Sequence, residues 1–239
     1  MNPDRDQVLR EMGLGPVWKL RAAPVVVAVE EVAAPSAMVS ERPPAAATVG
    51  ASLAGMDWEE LAATVAACRQ CRLCQARKQA VLGVGDRHAD WLFVGEGPGA
   101  EEDQRGEPFV GQAGKLLDNM LAAIGLARGH DVYIANAVKC RPPENRTPEA
   151  EEMVACLPFL QRQIELIQPK LIVALGRPAA QTLLQTEVKI GAARGRLHQY
   201  KGIPVIVTYH PAYLLRTLHD KAKAWEDLCF MRQTMRARP

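Results

Sequence analysis

Past residue 56 the chain alternates short apolar runs with longer stretches whose apolar residues recur at helical spacing. The runs Trp91–Val94, Val132–Val138, Lys170–Leu175 and Ile203–Tyr209 hold few polar residues, the pattern of strands covered on both faces. Asp57 and Glu60 form a capping box ahead of a helix over Trp58–Ala67. Gln112–Ile124 sets Leu116, Leu117, Met120, Leu121 and Ile124 on one side of a helix that Gly125 stops. Thr147-Pro148 predicts the start of a long helix, with Thr as N-cap, Pro at its first position and Glu149, Glu151 and Glu152 in its first turn. It should run to about Ile167 and bend near Pro158. Pro178–Leu184 and Asp220–Met235 are further helices. Strand and helix alternate four times, which predicts an α/β fold: a three-layer sandwich with a central four-stranded parallel sheet flanked by helices.

In such a sheet all strand tips point one way, and residues just past them converge. Those segments are Glu96–Phe109, Asn136–Arg141, Gly176–Arg177 and His210–Arg216. The first is the most unusual. Gly95-Glu96-Gly97-Pro98-Gly99 lets backbone pass close to a ligand, three acids follow (Glu101, Glu102, Asp103), and the isolated aromatic Phe109 closes the loop. It is a poor mimic of a dinucleotide loop, because the third spaced glycine is missing and Pro98 removes a backbone donor.

The chain has 239 residues, enough for one domain plus a tail. Hydrophobic content of 48% suffices for a core, and a net charge of +2 confines any DNA-binding surface to local patches. No signal peptide or bilayer-length apolar run is evident, so a soluble cytoplasmic protein is expected. Residues 23–55 are Ala-, Pro- and Val-rich with little periodicity and read as a disordered linker. Residues 1–22 carry an isolated aromatic, Trp18, at the end of that tether, the form of a partner-docking peptide or of a plain tail. Residues 56–239 make up the domain.

Six cysteines occur at 68, 71, 74, 140, 156 and 229, and in a cytosolic chain metal explains them better than disulfides. A CxxC pair plus two distant single cysteines suits zinc or a [4Fe–4S] cluster, and the wide spread fits a cluster better. Cys229 lies on an apolar helix face and reads as core, while Cys74 is a ligand, a spare or a surface thiol. Between Cys140 and Cys156, prolines stiffen a loop that Arg141 and Arg146 arm for phosphate, or merely for solubility. Asn136 is a carboxamide in an apolar strand, either a satisfied core residue or one edge of a base-pairing contact. His210 sits at the last strand tip, and Leu214-Leu215-Arg216 after it suggest exposed leucines wedging a base stack beside a phosphate clamp.

Together these motifs resemble the iron–sulfur uracil-DNA glycosylases, family 4 of the uracil glycosylase superfamily. The likeness runs from about Cys68 to the C-terminal helix through CxxC, GEGPGxEED with EPFVG, YIANxVKCRPPxNR, ALGRPAAQ and HPAYLLR. It implies a [4Fe–4S] cluster held by Cys68, Cys71, Cys140 and Cys156, and excision of uracil from DNA. A uracil must leave the duplex to be reached. By resemblance, Phe109 stacks on the flipped base and Asn136 reads its O4 and N3 edge. Glu102 and Gly97 border it, His210 hydrogen-bonds its O2, and Glu96 serves the water and the sugar charge. Leu214 fills the gap with Leu215 or Arg216 assisting, and Arg141 and Arg146 hold DNA. The familiar uracil enzymes have Asp where this chain has Gly97, which weakens the case for a single fixed carboxylate. The histidine-bearing KRRIH insert of the covalently trapping relatives is absent, which implies turnover.

The stretch MGLGPVWKLR is similar to the peptide with which the psi subunit of bacterial replicative polymerase binds the clamp loader, which implies a tether to replication through residues 1–22. A monomer acting on uracil-containing DNA is expected, with no membrane partner. The competing class is a non-catalytic, metal-containing module that binds or senses uracil in DNA. An electron carrier has only the cysteines in its favour.

Overall fold

The computed structural model describes residues 53–237. The proposed docking peptide and nearly all of the linker lie outside them. Leu53, assigned to the linker by composition, is 2% exposed and joins the core, so the packed region begins before Met56.

The four apolar runs form β2 (Trp91–Gly95), β3 (Val132–Asn136), β4 (Leu171–Leu175) and β6 (Ile203–Thr208), all buried except the first residue of the last. They pair in parallel in the order β3-β2-β4-β6. Two antiparallel edges complete a six-stranded sheet: β1 (Val84–Gly85) on β3 and β5 (Leu197–Tyr200) on β6. Neither edge is legible as a strand. The first is two residues long, and the second starts on the half-exposed Leu197 with no clean alternation.

The pleat sends alternate residues to opposite faces and makes two cores. Leu92, Val94, Ile172 and Ala174 face α1 (Trp58–Ala67), α4 (Ala150–Ile167) and α5 (Arg177–Leu184). Trp91, Phe93, Leu171 and Val173 face α3 (Gln112–Ala123) and the C-terminal helix α8 (Lys221–Arg236). The sheet between two helical layers is the expected sandwich. Short helices α2 (Ala100–Arg105), α6 (Ile190–Ala193) and α7 (Pro211–Arg216) lie in the connections.

The Asp57 box forms as read, with Glu60 N–H donating to Asp57 at 2.9 Å and Asp57 N–H to Glu60 at 3.1 Å. Helix α4 starts later than Thr147. Glu149 caps it, its N–H donating to the buried Glu152 carboxylate at 2.8 Å, and the helix runs through Pro158. No helix among the described residues is long and apolar enough to cross a membrane.

Candidate active site

The chain steps from β2 outward to β3, then returns past β2 to β4, which makes the carboxyl end of β2 a topological switch point. A cavity of about 490 Å³ opens there, lined among others by Glu96, Gly97, Phe109, Asn136, His210 and Arg216. Strand register does the gathering. Gly95 pairs with Asn136, so the last residues of two neighbouring strands stand side by side. Gly95 must lack a side chain: a Cβ there would strike Asn136 Oδ1 and lie 2.6 Å from Phe109 Cζ. Asn136 is 2% exposed, and its Oδ1 has no hydrogen-bond partner among the described residues. A buried acceptor without a donor costs about 1–3 kcal/mol, and this one belongs to a residue that lines the cavity.

His210 caps α7 with its own ring. Ala212 N–H donates to Nδ1 at 3.1 Å, which makes Nδ1 the acceptor and leaves Nε2–H as the donor of the neutral ring. Burial, with the Arg216 charge, pushes His210 down to about 4 against the opposing pull of Glu102. The ring is therefore neutral at ordinary pH. It stacks on Phe109 at 5.4 Å between centroids, with 29° between planes. Glu96 is raised above the usual carboxylate range by burial, against a Thr147 hydroxyl bond and the Arg177 charge.

Phe109 holds a positive φ of 55°, an uncommon conformation for a non-glycine residue. Two clamps keep it there. Arg128 donates to the Pro108 and Phe109 carbonyls, each at 2.8 Å, and is itself steadied by Asp118. Glu102 accepts the Val110, Gly111 and Gly99 amides at 2.9, 3.1 and 3.1 Å. Glu102 thus borders the cavity with both oxygens engaged by its own loop. Gly114 completes the fit, since a Cβ there would overlap the Phe109 carbonyl.

A family model for the uracil DNA glycosylase superfamily matches residues 82–229, which include every cavity residue named above. The chain belongs to that superfamily. Among its relatives, a Type-4 uracil-DNA glycosylase of Pyrobaculum aerophilum is 45% identical over 181 residues, 72% of this chain and 92% of the relative. Type-4 enzymes of Archaeoglobus fulgidus and Thermotoga maritima are 47% and 48% identical, covering 66% and 65% of this chain and 82% of each relative.

A second cleft of this superfamily member gathers cysteines. Cys68, Cys71, Cys74, Cys140 and Cys156 all line it, with Arg77 and Lys139. Arg77 donates to Cys140 Sγ at 2.7 Å and to the Cys68 carbonyl at 3.0 Å, and Lys139 N–H points at Cys156 Sγ at 3.2 Å. Burial pushes the Cys156 thiol up to about 12, and raises Cys71 and Cys140 as well. Among the described residues no three His, Cys, Asp or Glu side chains are grouped so as to hold a single metal ion.

The DNA-facing expectations divide. Leu214 is 1% exposed and belongs to the core, so it is not the exposed wedge. The HPAYLLR segment forms helix α7, where neighbours point about 100° apart, so one leucine of the pair turns inward. Leu215, 41% exposed, is the outward one. Arg216 lines the cavity. Arg146 also lines it, but its guanidinium makes a bidentate bridge to the buried Glu152 at 2.7 and 2.8 Å. Arg141 bonds Asn145 at 2.8 Å and stays outside the cavity wall. Thr147, expected as a cap, lines the cavity beside Glu96. Arg128 escaped notice in the sequence because it acts only on a neighbour brought close by the fold.

Proposed function

We propose that this chain excises uracil from DNA, hydrolysing the N-glycosidic bond of a flipped-out deoxyuridine and leaving an abasic site. One observation carries the reading: Glu96, Phe109, Asn136 and His210 line a single cavity that holds an unpartnered buried acceptor and a neutral imidazole donor. The base stacks on Phe109. Its N3–H donates to Asn136 Oδ1, and the Asn136 amide donates to O4. Cytosine presents a donor and an acceptor in reversed order and is refused. As the bond from base nitrogen to sugar carbon breaks, its electron pair passes to the uracil ring, and His210 Nε2–H stabilises the charge growing on O2. Water then bonds the sugar carbon, and Glu96 takes its proton while offsetting the sugar's positive charge. The raised Glu96 value suits it to accept that proton.

The cysteine cleft supports a [4Fe–4S] cluster on Cys68, Cys71, Cys140 and Cys156, with Cys74 a fifth thiol beside it. An all-thiol donor set suits a cluster, and the Arg77 and Lys139 N–H groups aimed at sulfur suit thiolates. Bound there, the cluster would cross-link the segment before β1, the loop after β3 and helix α4. Iron and sulfide should copurify with the protein, and Cys140→Ser should lose both along with stability. Stoichiometric zinc without iron would overturn this assignment.

Function is tested by incubating the protein with a uracil-containing oligonucleotide, measuring free uracil and cleaving abasic sites with alkali. Asn136→Asp or His210→Ala should slow release by roughly 10²–10³, the loss typical of a preorganised hydrogen bond. Tight binding without free uracil would favour a damage sensor, and near-parental rates in both variants would refute the site.

A further inference from the structure

Lys139 is among the buried charged residues that the excision scheme leaves unused. It is 1% exposed, and an ammonium so placed is costly unless hydrogen bonds hold it. Its Nζ donates to the Asn136 carbonyl at 2.8 Å and to Gln163 Oε1. Its backbone N–H points at Cys156 Sγ. Gln163, fully buried, is anchored in turn by donating to the Leu82 carbonyl at 2.9 Å. One side chain therefore ties the end of β3 to helix α4.

The tie falls where a tie is needed. Asn136 Oδ1 has no partner among the described residues, so no hydrogen bond to that oxygen from them sets the plane of the amide. Its direction has to come from packing and from the peptide that carries it. Asn136 is the last residue of β3, and the chain turns away after Ala137 and Val138 donate to the Gly95 and Glu96 carbonyls at 2.9 and 3.1 Å. We propose that Lys139 is a positioning residue for uracil recognition, gripping the Asn136 peptide so that its amide meets the base edge at the required angle. This rests on the uracil-excision reading.

A double-mutant cycle tests it. Single-turnover uracil release is measured for the parent, Lys139→Met, Asn136→Ala and the pair, with melting temperature recorded for each. Lys139→Met should lose roughly 10- to 100-fold in the parent, the scale set by a misplacement of about 1 Å. In the Asn136→Ala background it should cost less than about twofold, because a residue acting through Asn136 has nothing left to position. The loss should fall on the chemical step while half-saturating DNA concentration holds. Equal losses in both backgrounds would reduce Lys139 to general support of the fold, and no loss in the parent would overturn the inference outright. If Lys139→Met does not fold, Gln163→Leu carries the same cycle, with a smaller expected loss that also vanishes without Asn136. An active parent with additive losses sinks this inference alone, whereas a parent that releases no uracil sinks the excision reading and this inference with it.

Discussion

Replacing Asn136 with leucine should move activity and stability in opposite directions. The amide offers the base one acceptor and one donor. A leucine of similar size leaves uracil N3–H and O4 unpaired in a buried site, at about 1–3 kcal/mol for each group. Together, at about 2–6 kcal/mol, these correspond to a loss of roughly 30-fold to 10⁴-fold in excision rate. In the free protein the same change removes a buried oxygen that has no partner among the described residues. That relieves about 1–3 kcal/mol of desolvation, and each kcal/mol raises the melting temperature by roughly 2–4 °C for a domain of this size. Single-turnover release of uracil from an end-labelled oligonucleotide reads the first effect, and calorimetric melting reads the second. Excision within tenfold of the parent would refute the base-reading role. A lower melting temperature would show that the amide serves the fold.

Arg128→Met should leave the sheet intact and free Phe109 from its positive-φ conformation, lowering excision by about 10- to 100-fold on the 1–3 kcal/mol scale of such strain, and a parental rate would contradict the clamp. The pH profile of kcat/KM should show its acid limb above the ordinary carboxylate value, because the ionised Glu96 is required and its raised value means that form is lost as pH falls through it. Glu96→Gln should flatten that limb. No step is expected near the ordinary imidazole value of 6.5, since His210 stays neutral down to about 4. Leu215→Ala should slow excision from duplex DNA several-fold and spare single strands, since only a duplex requires unstacking. Leu214→Ala should instead destabilise the fold by about 2–5 kcal/mol, and equal substrate effects from both would erase the distinction between them.

The parallel sheet was readable because strands buried on both faces must be unbroken apolar runs, and these stand out between glycines and helical stretches. The tips were readable for the same reason, since parallel strands deliver Glu96, Asn136 and His210 to one edge. The edge strands β1 and β5 carry too little pattern to be seen. Leu214 and Leu215 could not be told apart until the segment was known to be a helix, whose geometry sends one inward. Arg146 looked free for phosphate because its partner Glu152 reads as an ordinary first-turn acid. Arg128 and Lys139 grip backbone carbonyls, contacts that leave no mark in residue type or spacing.

All of this depends on one base fitting one cavity, and a crystal structure of the protein with uracil looks at that directly. The ring should lie against Phe109, with N3–H on Asn136 Oδ1 and O2 within hydrogen-bond reach of His210 Nε2. Uracil bound elsewhere, or bound here with Asn136 Oδ1 still unpartnered, would contradict it.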